Sequence, residues 1–239
     1  MPPVKFRSAA ITVVVFATAM AYMESAVVVY LQRALGIMPD RLFPLQNGDI
    51  VGNLAAIEVG REFATLVMLV AIGWMLGRSW VDRLAWTSVA FGLWDIGYYF
   101  WLWIFIGWPH SPGTWDIFFL IPVPWAGPVW APIAVSAALI GFGLEAARRA
   151  GQGRRPVVRP MHAAAAIGGG AILVASFAAN APVLLASEMP GWFPWPVFLA
   201  GMAMACWGAV ASLKAGSRIE GATSGTDGRP QLGERAVIQ

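Results

Sequence analysis

Residues Asn53 to Gly77 read NLAAIEVGREFATLVMLVAIGWMLG. From Phe63 onward the run carries no charge, and at about 1.5 Å of rise per residue the whole stretch is long enough for a helix to cross a ~30 Å hydrocarbon core. Five more stretches meet that length, approximately from Ala9 to Leu31, Leu84 to Gly107, Gly127 to Ala147, Met161 to Leu185 and Pro194 to Leu213. The expected fold class is therefore all-α, a polytopic membrane helical bundle of about six transmembrane helices.

Composition agrees with the runs. Of the 239 residues 58% are hydrophobic and 12% charged, against roughly 25% charged in an average soluble domain. So few charges cannot coat a water-soluble surface. The net charge of +3 and pI near 9.4 do not point to nucleic acid, because the positive residues sit between the apolar runs and in the tail. The expected partners are the lipid bilayer and an apolar small-molecule substrate. The single cysteine, Cys206, rules out an intrachain disulfide and reads as a small core residue.

Lys and Arg fix the expected orientation in the cell membrane. With the N-terminus inside, Lys5, Arg7, Arg78, Arg83, Arg148, Arg149, Arg154, Arg155, Arg159, Lys214, Arg218, Arg229 and Arg235 all fall on the cytoplasmic side, and only Arg33 and Arg41 outside. Positive loops near span ends are retained in the cytoplasm, so both termini are expected there. Ala19-Met20-Ala21 imitates a signal-peptidase site, but the apolar run continues to Leu31 and favours an uncleaved first helix. Residues 1–215 then form a transmembrane domain. Residues 216–239, rich in Gly, Ser, Thr and charge, form an expected disordered cytoplasmic tail.

Between Trp108 and Trp130 the sequence turns irregular. The apolar Ile117 to Val123 is interrupted by Pro122 and flanked by Pro109, Pro112, Pro124 and Pro128, which remove backbone donors and break helix. The Trp115 to Ala126 piece is too short to span, so an interfacial or re-entrant segment is expected before the fourth helix. The fifth span, with Ala163 to Ala166 and Gly168 to Gly170, is built for close helix packing.

Function is sought where charge lies at membrane depth. Glu24 sits late in the first span, Glu58, Arg61 and Glu62 early in the second, and Asp95 near the middle of the third. A central Asp or Arg costs about 2.5 to 3.5 kcal/mol on insertion scales, so such residues face protein, water or a partner. Glu24, Glu58 and Glu62 fall roughly 7 to 14 Å below the outer boundary and Asp95 near ~18 Å. One outward-opening cavity is expected to contain them all. Glu58, Glu62 and Thr65 share a helical stripe with Arg61 beside them, and Ser88, Gly92, Asp95 and Tyr99 form a second stripe expected to face the first.

Glu24, Glu58, Glu62 and Asp95 are the acid/base candidates for an enzyme acting on a lipid or isoprenoid-like molecule. Arg61, Tyr22, Tyr98, Tyr99, Trp94 and Asp116 are the substrate-binding candidates, with Asp116 and His110 as parts of a lid. Arg61 is expected to pair with Glu58, Glu62 or a carboxylate across a helix interface. Three other roles stay open: a structural ion-pair network, a proton or cation pathway, and an accessory subunit of a larger membrane complex. No Walker A, HExxH, paired CxxC or GxSxG pattern occurs, and neither cofactor nor metal is assigned. Oxygen-rich residues of this kind would suit Mg²⁺, Ca²⁺ or Mn²⁺ rather than a soft metal. His162 falls at the cytoplasmic end of the fifth span, at the opposite face from His110, which argues against a bis-histidine haem.

The Trp94-Asp95 pair within a span is similar to the Trp-acidic pair of small integral-membrane terpene cyclases. The likeness covers two residues and assigns no family. It implies only that Asp95 is placed as an intramembrane carboxyl that serves as an acid.

Overall fold

The computed structural model describes residues 6–35, 48–154, 157–186, 188 and 190–224; at 35, 48–55 and 216–224 it describes the backbone alone. Lys5, Arg41, Arg155, Arg229 and Arg235, which entered the orientation, lie outside the described residues. So does the tail from 225 to 239.

The element order is α1 (Phe6–Leu35), α2 (Gly48–Leu76), α3 (Trp80–Ile106), β1 (Trp115–Phe119), β2 (Trp125–Pro128), α4 (Trp130–Gly151), α5 (Pro160–Ala178), α6 (Ala181–Leu185) and α7 (Trp195–Ser224). Among the described residues, six helical stretches are long and apolar enough to cross a membrane: Phe6–Ala34, Ala56–Leu76, Trp80–Ile106, Trp130–Gly151, Pro160–Leu185 and Trp195–Ala215. The chain is a multi-pass helical membrane protein. The last helix continues to Ser224, into the stretch expected to be tail.

Local chemistry sets the helix ends. Ser79 caps α3 by accepting a hydrogen bond from the Asp82 amide at 3.2 Å, which satisfies one of the free N–H groups of the first turn. At the other end Gly107 takes φ 68°, and its N–H donates to the Trp103 carbonyl, a left-handed cap that glycine adopts without strain.

Between α3 and α4 the proline-broken stretch folds as a two-stranded antiparallel hairpin, with Trp115 opposite Pro128 and Asp116 opposite Gly127. Pro122 and Pro124 fall in its turn, where no ladder donor is required. The hairpin lies where α3 ends and α4 begins, a region called the hairpin end below.

Helices approach where side chains are smallest. A Cβ on Gly92 of α3 would lie 2.5 Å from the Ser136 carbonyl of α4, and one on Gly169 of α5 would lie 2.4 Å from the Ala205 amide of α7. The small residues of the fifth span thus meet α7, as expected of such a stripe. Among the described residues, Val13, Ala17, Leu69, Val89 and Ala90 pack among α1, α2 and α3, Ala131, Leu173, Phe177, Phe193 and Phe198 pack among α4, α5 and α7 under the hairpin, and Tyr99, Leu102, Trp108 and Val129 form a third apolar cluster. Exposed Ile11, Met75, Trp103 and Ile167 present apolar surface outward, as lipid contact requires.

Candidate functional site

Arg61 ties α1 to α2. Its Nε donates to Glu58 Oε2 at 2.7 Å, its Nη2 lies 2.7 Å from the same oxygen, and its Nη1 donates to Glu24 Oε1. The Thr65 hydroxyl, one turn further along α2, donates to Glu24 Oε2 at 3.2 Å. All three guanidinium nitrogens are engaged, and the Arg61 side chain is 24% exposed. Arg61 therefore joins Glu58 and Glu24 together, where the sequence offered one partner or the other.

Glu62 turns elsewhere. Both of its carboxyl oxygens accept from the Leu120 amide, at 3.1 and 2.9 Å, so α2 holds the hairpin by the amide next to its turn. A second clasp comes from α3, where the Tyr99 hydroxyl donates to Asp116 Oδ2 at 3.1 Å. Burial pushes the Asp116 carboxyl up to about 7; the nearby Asp95 adds to the rise, and bonds from Tyr99 and the Ile117 amide oppose it. Asp116 thus anchors the hairpin to α3. His110 is exposed.

Asp95 stands apart from the Arg61 group. The Ser136 hydroxyl of α4 donates to its Oδ2 at 2.8 Å, and Asp95 lines a cavity of about 510 Å³ bounded by α3, α4, α5, α7 and the hairpin. Leu139 and Phe142 of α4, Leu173 and Phe177 of α5, and Met202 and Cys206 of α7 line it, and Phe118, Phe119 and Trp125 roof it from the hairpin. Asp95 is the only Asp, Glu, Lys, Arg or His among its described lining residues.

A single cavity holding all the candidate carboxyls does not form around Asp95, because Glu24, Glu58 and Glu62 do not line it. The cause is the rotation of α3. Gly92 lets the α4 backbone approach, so the stripe of Ser88, Gly92 and Asp95 faces α4 and the cavity while α2 packs elsewhere on α3 through Gly73 and Gly77. The two polar stripes do not face each other.

Of the aromatic candidates, Tyr22 is 45% exposed and packs edge-on against Trp101 and Phe105. Tyr98 packs against Tyr99. Trp94 is buried between Phe91 and Phe119, behind the cavity roof and not on its lining. His162 lies in the first turn of α5, away from the hairpin end, packed on Trp207.

Ser136 and the Leu120 amide were not singled out from the sequence. Ser136 had a signal: it is the lone hydroxyl between Ala131 and Leu144, and a polar group in so apolar a run needs a partner. Among the described residues, no group of three or more His, Cys, Asp or Glu is placed to hold a metal ion. Comparison with protein-family models, curated proteins and solved structures finds no match for this chain.

Proposed function

We propose that this protein is a membrane-embedded enzyme acting on a lipid or isoprenoid-like molecule that enters the cavity from the bilayer, with Asp95 as the group that delivers a proton to it. The observation that carries this is one carboxyl, the sole one among the described lining residues, on the wall of a mostly apolar cavity of about 510 Å³ whose other polar side chains include Ser88, Ser136 and Ser212, a size within the range of small-molecule sites. Ionising an isolated carboxyl among apolar walls is costly without a cation, and its protein partner is a hydroxyl, Ser136. Asp95 therefore acts in its neutral form, as a general acid. Arg61, Glu24 and Glu58 serve as a clamp between α1 and α2, and Glu62, Tyr99 and Asp116 hold the hairpin over the site. Beside Asp95 the described lining offers the hydroxyls of Ser88, Ser136 and Ser212 but no second carboxylate, which disfavours a proton or cation path. On the Lys and Arg asymmetry the protein lies in the cell membrane with both termini cytoplasmic.

The test is to incubate the purified protein, in nanodiscs, with a total lipid extract and follow the lipid inventory by mass spectrometry. Wild type should consume one apolar species and form another, and Asp95→Asn should do neither. Equal conversion by the variant, or no conversion by either, defeats the proposal.

A further inference from the structure

We infer that the molecule bound in this cavity is a single-chain, uncharged lipid carrying one hydrogen-bond-accepting oxygen, and not a phosphorylated or two-chain lipid. This deepens the function proposed above and rests on it.

Size comes first. A volume of about 510 Å³, divided by the ~30 Å³ that a water-sized group occupies in a liquid, holds roughly 17 such groups. One isoprenoid or fatty chain fills that space.

Charge comes second. Recognition of a phosphate or diphosphate uses Arg or Lys, or free amides at a helix N-terminus. No Arg or Lys stands among the described lining residues, so nothing there neutralises a phosphate. The start of α4 lies beside the cavity through Pro132. Two amides at that start are already taken, Val129 N–H by the Thr114 carbonyl at 2.9 Å and Trp130 N–H by the Pro112 carbonyl at 3.0 Å, and Pro132 has none.

The acid supplies the third observation. Asp95 lines the cavity, and the Ser136 hydroxyl holds its Oδ2 at 2.8 Å. An oxygen on the ligand accepts from the Asp95 acid, while the hydrocarbon remainder lies along Leu139, Leu173 and Met202. A hydroxyl, carbonyl or ether oxygen fits that donor.

Two features of the chain make the inference testable. Cys206 is the sole cysteine and lines the cavity, so its alkylation by N-ethylmaleimide reports occupancy. Gly170 also lines the cavity, and a Cβ there meets nothing within 4 Å, so Gly170→Phe fills the space without striking the backbone. The probes are farnesol, farnesyl diphosphate and farnesane, the last lacking oxygen, with the full chain in phosphatidylcholine nanodiscs so that two-chain lipid is present in excess throughout.

Farnesol should slow Cys206 alkylation by about tenfold and raise the melting temperature, as a ligand of the folded state does. Farnesyl diphosphate at the same concentration should slow it by less than about twofold. Farnesane should bind about fivefold more weakly than farnesol, and Asp95→Leu should narrow that gap, as loss of one hydrogen bond implies. In Gly170→Phe, still folded by its melting transition, farnesol should raise the melting temperature no further. Equal protection by the diphosphate, or by farnesane in wild type, overturns the uncharged, oxygen-bearing ligand and leaves the cavity standing as a lipid site. Absence of any farnesol effect, or a thermal shift that persists in Gly170→Phe, overturns the cavity site itself and the proposed function with it.

Discussion

Replacing Arg61 by methionine keeps most of the side-chain volume and removes the one cation shared by Glu24 and Glu58. Nε and Nη2 on Glu58 at 2.7 Å and Nη1 on Glu24 would all be lost, and the two carboxylates left behind are 9% and 12% exposed. Breaking a largely buried ion pair by deleting one partner costs about 3 to 5 kcal/mol, because the remaining charge is uncompensated. That cost should appear in reversible unfolding of the protein by sodium dodecyl sulfate in mixed micelles. If the penalty is uncompensated charge, adding Glu24→Gln and Glu58→Gln to Arg61→Met should restore stability to within about 1 kcal/mol of wild type. A single variant within about 0.5 kcal/mol of wild type, or a triple variant less stable than the single one, refutes the clamp.

Three further outcomes follow from the hairpin and the helix crossings. Asp116 carries a value of about 7 against an ordinary 3.8, so the folded state holds an extra proton between those limits. Its contribution to stability is full near pH 4 and falls as pH rises through 7, by no more than about 4 kcal/mol. Asp116→Asn should flatten that part of the melting-temperature profile between pH 4 and 9, and an unchanged slope contradicts the assignment. Glu62→Leu strips the acceptor from the Leu120 amide at a cost of about 1 to 3 kcal/mol. Hydrogen exchange at Leu120 should quicken in that variant and stay near wild type in Glu62→Gln, which keeps one carbonyl oxygen. Gly92→Ala brings a methyl to 2.5 Å from the Ser136 carbonyl, so α4 must move, at about 1 to 3 kcal/mol by the measure of overpacked cores. Since Ser136 holds Asp95, conversion should fall along with stability; unaltered conversion would mean that the Ser136 contact is dispensable.

The bundle was legible because membrane spanning imposes one simple length and polarity rule, and six stretches obey it without ambiguity. The hairpin was not. Ile117 to Val123 has the composition of an interfacial segment, and only the pairing of Trp115 with Pro128, a contact between residues on either side of a proline-rich turn, makes it a sheet. At the site, the sharing of a stripe by Glu58, Glu62 and Thr65 followed from residue count along a helix. Facing did not follow, because the rotation of α3 is decided by Gly92 against α4, a close approach between helices that periodicity within one helix cannot express. For the same reason Glu62, one turn from Glu58, bonds the hairpin instead of Arg61. The Trp125 indole enters the site only once the hairpin folds over it.

The most direct measurement compares Asp95→Asn with Glu58→Gln in deuterated water, each at matched amounts of folded protein, reading deuterium incorporation into the apolar product by mass spectrometry. Asp95→Asn should abolish incorporation with little loss of stability. Glu58→Gln should lower stability and leave incorporation per folded molecule near wild type. Deuterium transfer that survives in Asp95→Asn and disappears in Glu58→Gln would contradict the account, moving the proton chemistry from the cavity wall to the clamp between α1 and α2.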